Sequence, residues 1–210
     1  MTSRGAQDDG AMLWKTARMR RTIMLAYDSP LGSMTLAAED GEGLPVGGAL
    51  IGVWFDGQRR DRAGLDGGAV IAEPGSDDEP VVLKRARSWL DRYFAGEEPA
   101  QLPALAARGT DFQQRVWAQL RTIPYGSTRT YGQIADAVEA QTGHRCSARA
   151  VGGAVGRNPI SIIVPCHRVV GADGSLTGYA AGTDRKTRLL RLEGVRLPDL
   201  GVDQDGLPGL

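Results

Sequence analysis

Ile160-Ser161-Ile162-Ile163-Val164-Pro165-Cys166-His167-Arg168-Val169 delivers a thiol and an imidazole together at the end of an apolar run. The first five residues predict a buried strand. Pro165 pushes Val164 towards extended geometry and cannot pair further, which leaves Cys166 at a rigid, sharply turned exit. A thiol fixed in this way is useful as a nucleophile. A buried, inert cysteine is the other reading, and the run alone supports both.

Neighbouring side chains on a strand point to opposite faces, so Cys166 and His167 are not automatically a dyad. They can cooperate in a turn or through a bridging water, with His167 held in one tautomer by a third group. Asp184 to Gly194 predicts a short helix, N-capped by Asp184 and stopped by Gly194, with Glu193 in its last turn. An acid there opposes the helix dipole. Glu193 is therefore either the tertiary partner of His167 or a solvated surface residue.

The chain has 210 residues, 41% of them hydrophobic, enough for one or two compact domains. No apolar run reaches the roughly 18 residues of a membrane span, and the start lacks an apolar signal segment, so a soluble cytoplasmic protein is expected. Two cysteines, Cys146 and Cys166, and two histidines, His144 and His167, show neither a disulfide framework nor metal-ligand spacing. Neither a metal nor a cofactor is expected. Net charge is zero, but residues 1–107 carry 12 basic and 16 acidic residues, whereas residues 108–196 carry 13 and 6. The basic segment holds the Cys-His turn and suits a polyanion.

Thr22 to Tyr27, Ser33 to Ala38 and Ala49 to Phe55 predict strands, and Gly57 to Pro80 a loop or partly disordered link. Leu83, Ala86, Leu90, Tyr93 and Phe94 then recur at helical spacing on a segment ending at Gly96. Residues 21–100 are thus expected to form an amino-terminal α/β domain, 101–197 a second domain, and 1–20 and 198–210 tails. The second domain opens with the capping box Thr110-Asp111-Phe112-Gln113, repeated in Thr130-Tyr131-Gly132-Gln133, and a third helix begins at Ser147. The small residues of that third helix allow close approach to a partner, and the last two helices read either as a helix-turn-helix or as an ordinary packed pair.

Together the segments GTDFQQRVW, IPYGSTRTYGQIA, ARAVGGAV, NPISIIVPCHRVVG, LTGYA and LLRLEG, and more loosely DSPLGSMTLA and GVWFDGQ, resemble the O6-alkylguanine-DNA alkyltransferases. The dense part of the likeness covers about residues 109–194. It implies an α/β (α+β) chain with a small ribonuclease H-like sheet-plus-helix domain, followed by a mostly helical domain bearing a helix-turn-helix. It also implies a suicide methyltransferase that moves an alkyl group from double-stranded DNA to itself, without cofactor or metal, as a monomer, with cooperation on DNA left open.

By that likeness Cys166 is the alkyl acceptor, His167 its base through a water, Glu193 the group orienting His167, and Asn158 the brace of the turn. Tyr131 would sit by the flipped nucleotide. Arg149 would fill the gap in the duplex, with Ala148 and Gly152 also on the minor-groove face. Val169, Tyr179, Ala180, Ala181 and Lys186 would form the substrate pocket, the backbone carbonyls of Cys166 and Val169 reading the guanine amine. Departures from the family pattern are a longer stretch from Glu139 to Cys146, Ala180-Ala181 where many members have Ser or Gly followed by Gly, and an insert around Pro45 to Gly48. The cysteines and histidines that bind zinc in some relatives are missing.

An ordinary thiol with a pKa near 8.5 is about 3% ionised at pH 7, so a base and local positive charge are expected to raise the reactive fraction about tenfold or more. Alkylation gives a thioether, which offers water no activated carbonyl, so the protein should react once. Two other classes compete. An alkyltransferase-like DNA binder would lack the acceptor cysteine, and a Cys-His hydrolase would turn over and leave Arg149 unexplained.

Overall fold

The computed structural model describes residues 20–65 and 67–197. Both tails expected from the sequence lie outside these residues, except for Arg20, which donates to the Glu42 carbonyl. Three strands, β1 (Arg21–Ser29), β2 (Gly32–Asp40) and β3 (Ala49–Phe55), form an antiparallel meander. A two-residue strand, β4 (Val70–Ile71), pairs parallel with β1 and gives the order β3-β2-β1-β4. The sheet is therefore mixed. β4 lies in the segment expected to be a loop, where two residues are too few to leave a period in the sequence.

Every residue of β3 is buried, because both its faces and its outer edge are covered. Leu50 exchanges backbone hydrogen bonds with Ala104 and Ala106, and Val53 does so with Pro159 and Ser161. The second half of the chain thus docks on the sheet edge through the residues that lead into Pro165 and Cys166. Gly52 is required within β3: a Cβ there would stand 1.6 Å from the Trp54 ring. Helix α1 (Val81–Phe94) covers the sheet with Leu83, Ala86, Leu90, Tyr93 and Phe94 buried, the stripe that its spacing predicts, and with Val82 and Trp89 buried beside it.

In the second half, α2 (Asp111–Leu120) and α3 (Tyr131–Thr142) begin at the two predicted capping boxes, both formed. Helix α4 (Ala148–Val155) is N-capped by the Ser147 hydroxyl, and the Trp117 indole donates to the Ala154 carbonyl to hold it on α2. The first part of the stretch from Glu139 to Cys146 is helical, since α3 runs to Thr142 before Gly143 ends it in the left-handed region. Glu139 then fastens the turn by accepting from the Cys146 amide. A short parallel pair, β5 (Arg129–Thr130) and β6 (Val169–Val170), ties the start of α3 to the exit of the Cys-His turn.

Two expectations are corrected. Ile160 to Val164 is not a strand: only Ile160 makes a bridge, and the rest is a fully buried turn with Ile162 at φ 68°. Helix α5 (Thr183–Leu192) starts from Gly182, with Asp184 inside its first turn and not at the cap. Glu193 and Gly194 end it as expected, Gly194 at φ 73°. One apolar cluster runs from the sheet through α1, α2, α3 and α4 to Cys166, Val169 and Leu189. Among the described residues no helix is long and apolar enough to cross a membrane.

Candidate active site

Asn158 explains why an apolar run bends. Its side-chain oxygen accepts from the Ile160 amide at 3.1 Å, and its amide nitrogen lies 3.2 Å from the Ile160 carbonyl, 2.8 Å from the Val164 carbonyl and 3.1 Å from Cys166 Sγ. One buried carboxamide thereby replaces the strand partner that these backbone groups would otherwise need. Ile162, a β-branched residue held with positive φ, marks the strain of that bend. Cys166 emerges from the knot as the first residue of a 3-10 turn, Cys166–Arg168, and its thiol is itself part of the knot.

His167 is fully buried, and its Nε2 lies 2.6 Å from Glu193 Oε1. Burial tends to raise the Glu193 carboxyl, but the hydrogen bonds from His167 and Arg168 and the Arg168 charge more than reverse this and hold it at about 2. Glu193 is therefore an anion, so Nε2 carries the hydrogen and Nδ1 keeps its lone pair. Nδ1 is buried without a protein partner among the described residues. Burial also holds the imidazole below its ordinary value, although Glu193 pulls it back in part, so His167 is neutral at pH 7 and able to accept a proton at Nδ1.

Two partners of this pair were not found by reasoning from the sequence. Arg168 grips Glu193 in a fork, Nε to Oε2 at 2.8 Å and Nη2 to Oε1 at 3.0 Å, while Nη1 donates to the Ile123 carbonyl at 2.6 Å. Tyr93, from α1, donates its hydroxyl to Glu193 Oε1 at 2.7 Å. These donors answer the placement of an acid at a helix C-terminus, since the Arg168 charge and the hydrogen bonds from the two neutral aromatic donors outweigh the dipole. The signal for Arg168 was its position beside His167. For Tyr93 it was a hydroxyl-bearing ring on an otherwise apolar helical stripe.

Lys186 is wholly buried and donates to the carbonyls of Val169 and Thr177, the latter at 3.0 Å. Burial lowers it to about 8, with Cys166 offsetting part of the fall. The Cys166 thiol is itself pushed up by burial, against the opposing pull of the Asn158 hydrogen bond, the Lys186 charge and nearby backbone amides. This differs from the expectation of a thiol already activated at rest: Cys166 is protonated in the closed site and needs His167 to take its proton. Tyr179 lies edge-on to His167 at 6.4 Å between ring centroids, and its phenol is driven well above the ordinary range by burial and by Cys166.

The pocket loop is held from several sides. Tyr131, the first residue of α3, donates to the Thr177 carbonyl at 3.1 Å, and Gly178 at φ 80° leaves room for it, since a Cβ would come within 2.7 Å of that hydroxyl. The Ala180 carbonyl accepts from the Arg59 amide and the Ala181 carbonyl from Arg185, whose guanidinium lies over the Phe55 ring. Of the carbonyls expected to read a base, Cys166 O already accepts from the Val169 amide and Val169 O from Lys186, each keeping a second lone pair. Ala148 and Arg149 stand exposed on the first turn of α4, whereas Gly152 faces the Tyr131 ring. Arg149 is thus on the outer face and away from the buried cluster of Cys166, His167, Glu193, Asn158 and Lys186.

Residues 111–195 match the family model described as 6-O-methylguanine DNA methyltransferase, DNA binding domain. The chain is 57% identical over 120 residues to the methylated-DNA–protein-cysteine methyltransferase of Mycobacterium tuberculosis (strain ATCC 25618 / H37Rv), covering 57% of this chain and 70% of the relative. With the protein of the same name from Mycolicibacterium paratuberculosis it shares 46% over 166 residues, 79% of this chain and 88% of that one. The crystal structure of Mycobacterium tuberculosis O6-methylguanine methyltransferase superposes with a TM-score of 0.66 at 44% identity, covering 86% of this chain and 96% of that chain. Mycobacterium tuberculosis OGT in complex with DNA gives 0.65 at 44% identity, over 81% and 92% of the two chains. With this identity spread over most of the relatives' length and the family model matching across the Cys-His turn, the chain belongs to the methylated-DNA–protein-cysteine methyltransferase family.

Proposed function

We propose that the protein repairs O6-alkylguanine in double-stranded DNA by direct reversal, moving the alkyl group once onto its own Cys166. The observation that carries this is a thiol tied into the Asn158 knot beside a neutral imidazole whose Nε2–H is committed to Glu193, leaving Nδ1 free as a base. His167 takes the thiol proton through a bridging water. Sulfur then attacks the alkyl carbon in line, the carbon–O6 bond breaks, and its electron pair stays on guanine, which picks up a proton. Tyr179, held protonated by burial and by the adjacent Cys166, is a donor available to that step, whereas the Tyr131 hydroxyl is engaged by the Thr177 carbonyl. Lys186, cationic at neutral pH, stabilises the thiolate as it forms.

DNA enters as the partner because residues 108–196 carry the excess of basic side chains and the relative with the same fold was solved with DNA. In this reading α3 and α4 act as a helix-turn-helix whose small-residue helix lies in the minor groove, with Ala148 on its outer face and Gly152 letting the groove approach beside the Tyr131 ring. Arg149 enters the stack as the guanine flips out, offsetting an unstacking penalty of a few kcal/mol. Val169, Tyr179, Ala180, Ala181 and Lys186 line the pocket that receives the base. Residues 21–100 are the ribonuclease H-like domain and 101–197 the reactive one, in a monomer acting in the cytoplasm. Incubation with duplex DNA carrying a radiolabelled O6-methylguanine tests the proposal. Label should move to protein and stop at one equivalent; continued turnover would identify a hydrolase, and binding without transfer a non-reacting DNA binder.

A further inference from the structure

Tyr93 is a buried acid–base group in direct contact with the His167–Glu193 pair that the transfer step does not use. It belongs to α1, in the amino-terminal half, 100 positions from Glu193. Its ring stacks on Trp89 at 5.4 Å and meets Phe94 and Tyr125 edge-on at 5.5 and 6.1 Å, so the direction of its hydroxyl is fixed. That hydroxyl donates to Glu193 Oε1, the same oxygen that accepts from His167 Nε2, and lies 3.4 Å from Nε2. Burial and the Glu193 charge keep the phenol protonated, so it remains a donor throughout the working pH range.

We propose that Tyr93 is a positioning residue for alkyl transfer: its hydroxyl, donated to Glu193 Oε1, disperses the carboxylate charge and so sets how strongly His167 holds the proton taken from Cys166. The proposal rests on Cys166 as acceptor and His167 as its base. Three donors converge on Oε1, from Tyr93, His167 and Arg168. Removing the neutral one leaves more of the anion's density for His167, which stabilises the imidazolium. The thiolate then forms at lower pH and is a weaker nucleophile. The other charged or titratable groups around the pair are Arg168 and Tyr125 on one side, Lys186 on α5, and Cys166 with Tyr179 at the pocket. A Tyr93→Phe substitution leaves all of them in place and keeps the ring stack.

Single-turnover transfer from an O6-methylguanine duplex, followed against pH with the full chain, tests this. Because the groups titrate as a coupled set, the midpoint belongs to the set. Tyr93→Phe should lower it by about one unit, the equivalent of one charge-assisted hydrogen bond. Its alkaline rate should fall about threefold, as expected for a less basic thiolate. Glu193→Gln should move the midpoint up, and Tyr125→Phe, whose hydroxyl bonds the Leu192 carbonyl and not the carboxylate, should leave it unchanged. Replacing Tyr93 with 3-fluorotyrosine, a stronger donor of nearly the same shape, should raise the midpoint, and this arm stands even if the phenylalanine protein folds poorly. A midpoint that stays put in both Tyr93 variants while rates drop at every pH would reduce Tyr93 to packing and overturn the proposal. If the wild-type protein transfers no alkyl group at all, it is the assignment of Cys166 that falls.

Discussion

Replacing Arg168 by Met keeps the aliphatic stem and removes the guanidinium from a site where it is almost fully buried. The change deletes two bonds to Glu193 and one to the Ile123 carbonyl, and leaves the Tyr125 ring without the cation 5.7 Å from its centroid. Breaking a buried ion pair from one side costs about 3–5 kcal/mol, a large part of the roughly 5–15 kcal/mol that holds a domain folded. The pH dependence follows from Glu193, whose carboxyl sits at about 2 in the fold against an ordinary 4.5. A value depressed by folding contributes stability that is fully present above 4.5 and is lost as pH falls through about 2. Without Arg168 the carboxyl rises, so the variant should unfold at milder acidity, and the gap between the two proteins should narrow again in strong acid. Urea titrations at neutral and acidic pH measure both effects, with an unchanged m-value marking a simple loss of stability. A loss below about 1 kcal/mol, the worth of an exposed pair, or the same acid midpoint in both proteins would refute the reasoning.

Arg149→Ala should slow repair within duplex DNA far more than reaction with free O6-alkylguanine base, because only the duplex needs extrusion and gap filling; equal losses would remove the finger role. Lys186→Met should raise the pH midpoint of single-turnover transfer and slow the reaction at pH 7, since the Lys186 charge opposes the burial that pushes the Cys166 thiol up. An unmoved midpoint would limit Lys186 to holding the Val169 and Thr177 carbonyls. Asn158→Ala leaves the buried amide of Ile160 and the Ile160 and Val164 carbonyls without their side-chain partner, so a loss of about 2–4 kcal/mol in thermal or urea unfolding is expected, with transfer impaired as well. Near-wild-type stability would show that the turn holds without its knot.

Local signals in the sequence read correctly. Thr110 and Thr130 cap α2 and α3 through contacts three residues away, and the stripe Leu83, Ala86, Leu90, Tyr93 and Phe94 covers the sheet as its spacing requires. Ile160 to Val164 misled because its backbone partners come from one side chain, Asn158, and apolar content cannot distinguish a buried strand from a buried turn. The Cys166-His167 turn and the oddly placed acid at Glu193 were visible, since each broke a local preference. The fork of Arg168 was hidden because a neighbour of the chemistry looks like any surface arginine. Tyr93 was hidden because its partner lies 100 residues away and its ring satisfies a helix period equally well without its hydroxyl. Burial of the thiol was one of two readings the run left open, and composition does not say which residues cover a turn, so the choice waited on the structure.

The most direct measurement is the mass of the intact protein after incubation with excess duplex carrying O6-methylguanine, followed by peptide mapping. A single added methyl group, about 14 Da on Cys166 and absent from a Cys166→Ser protein that still binds the duplex, is the expected result. A modified residue other than Cys166, further adducts with time, or undiminished methyl uptake by the Cys166→Ser protein would contradict the assignment of the nucleophile.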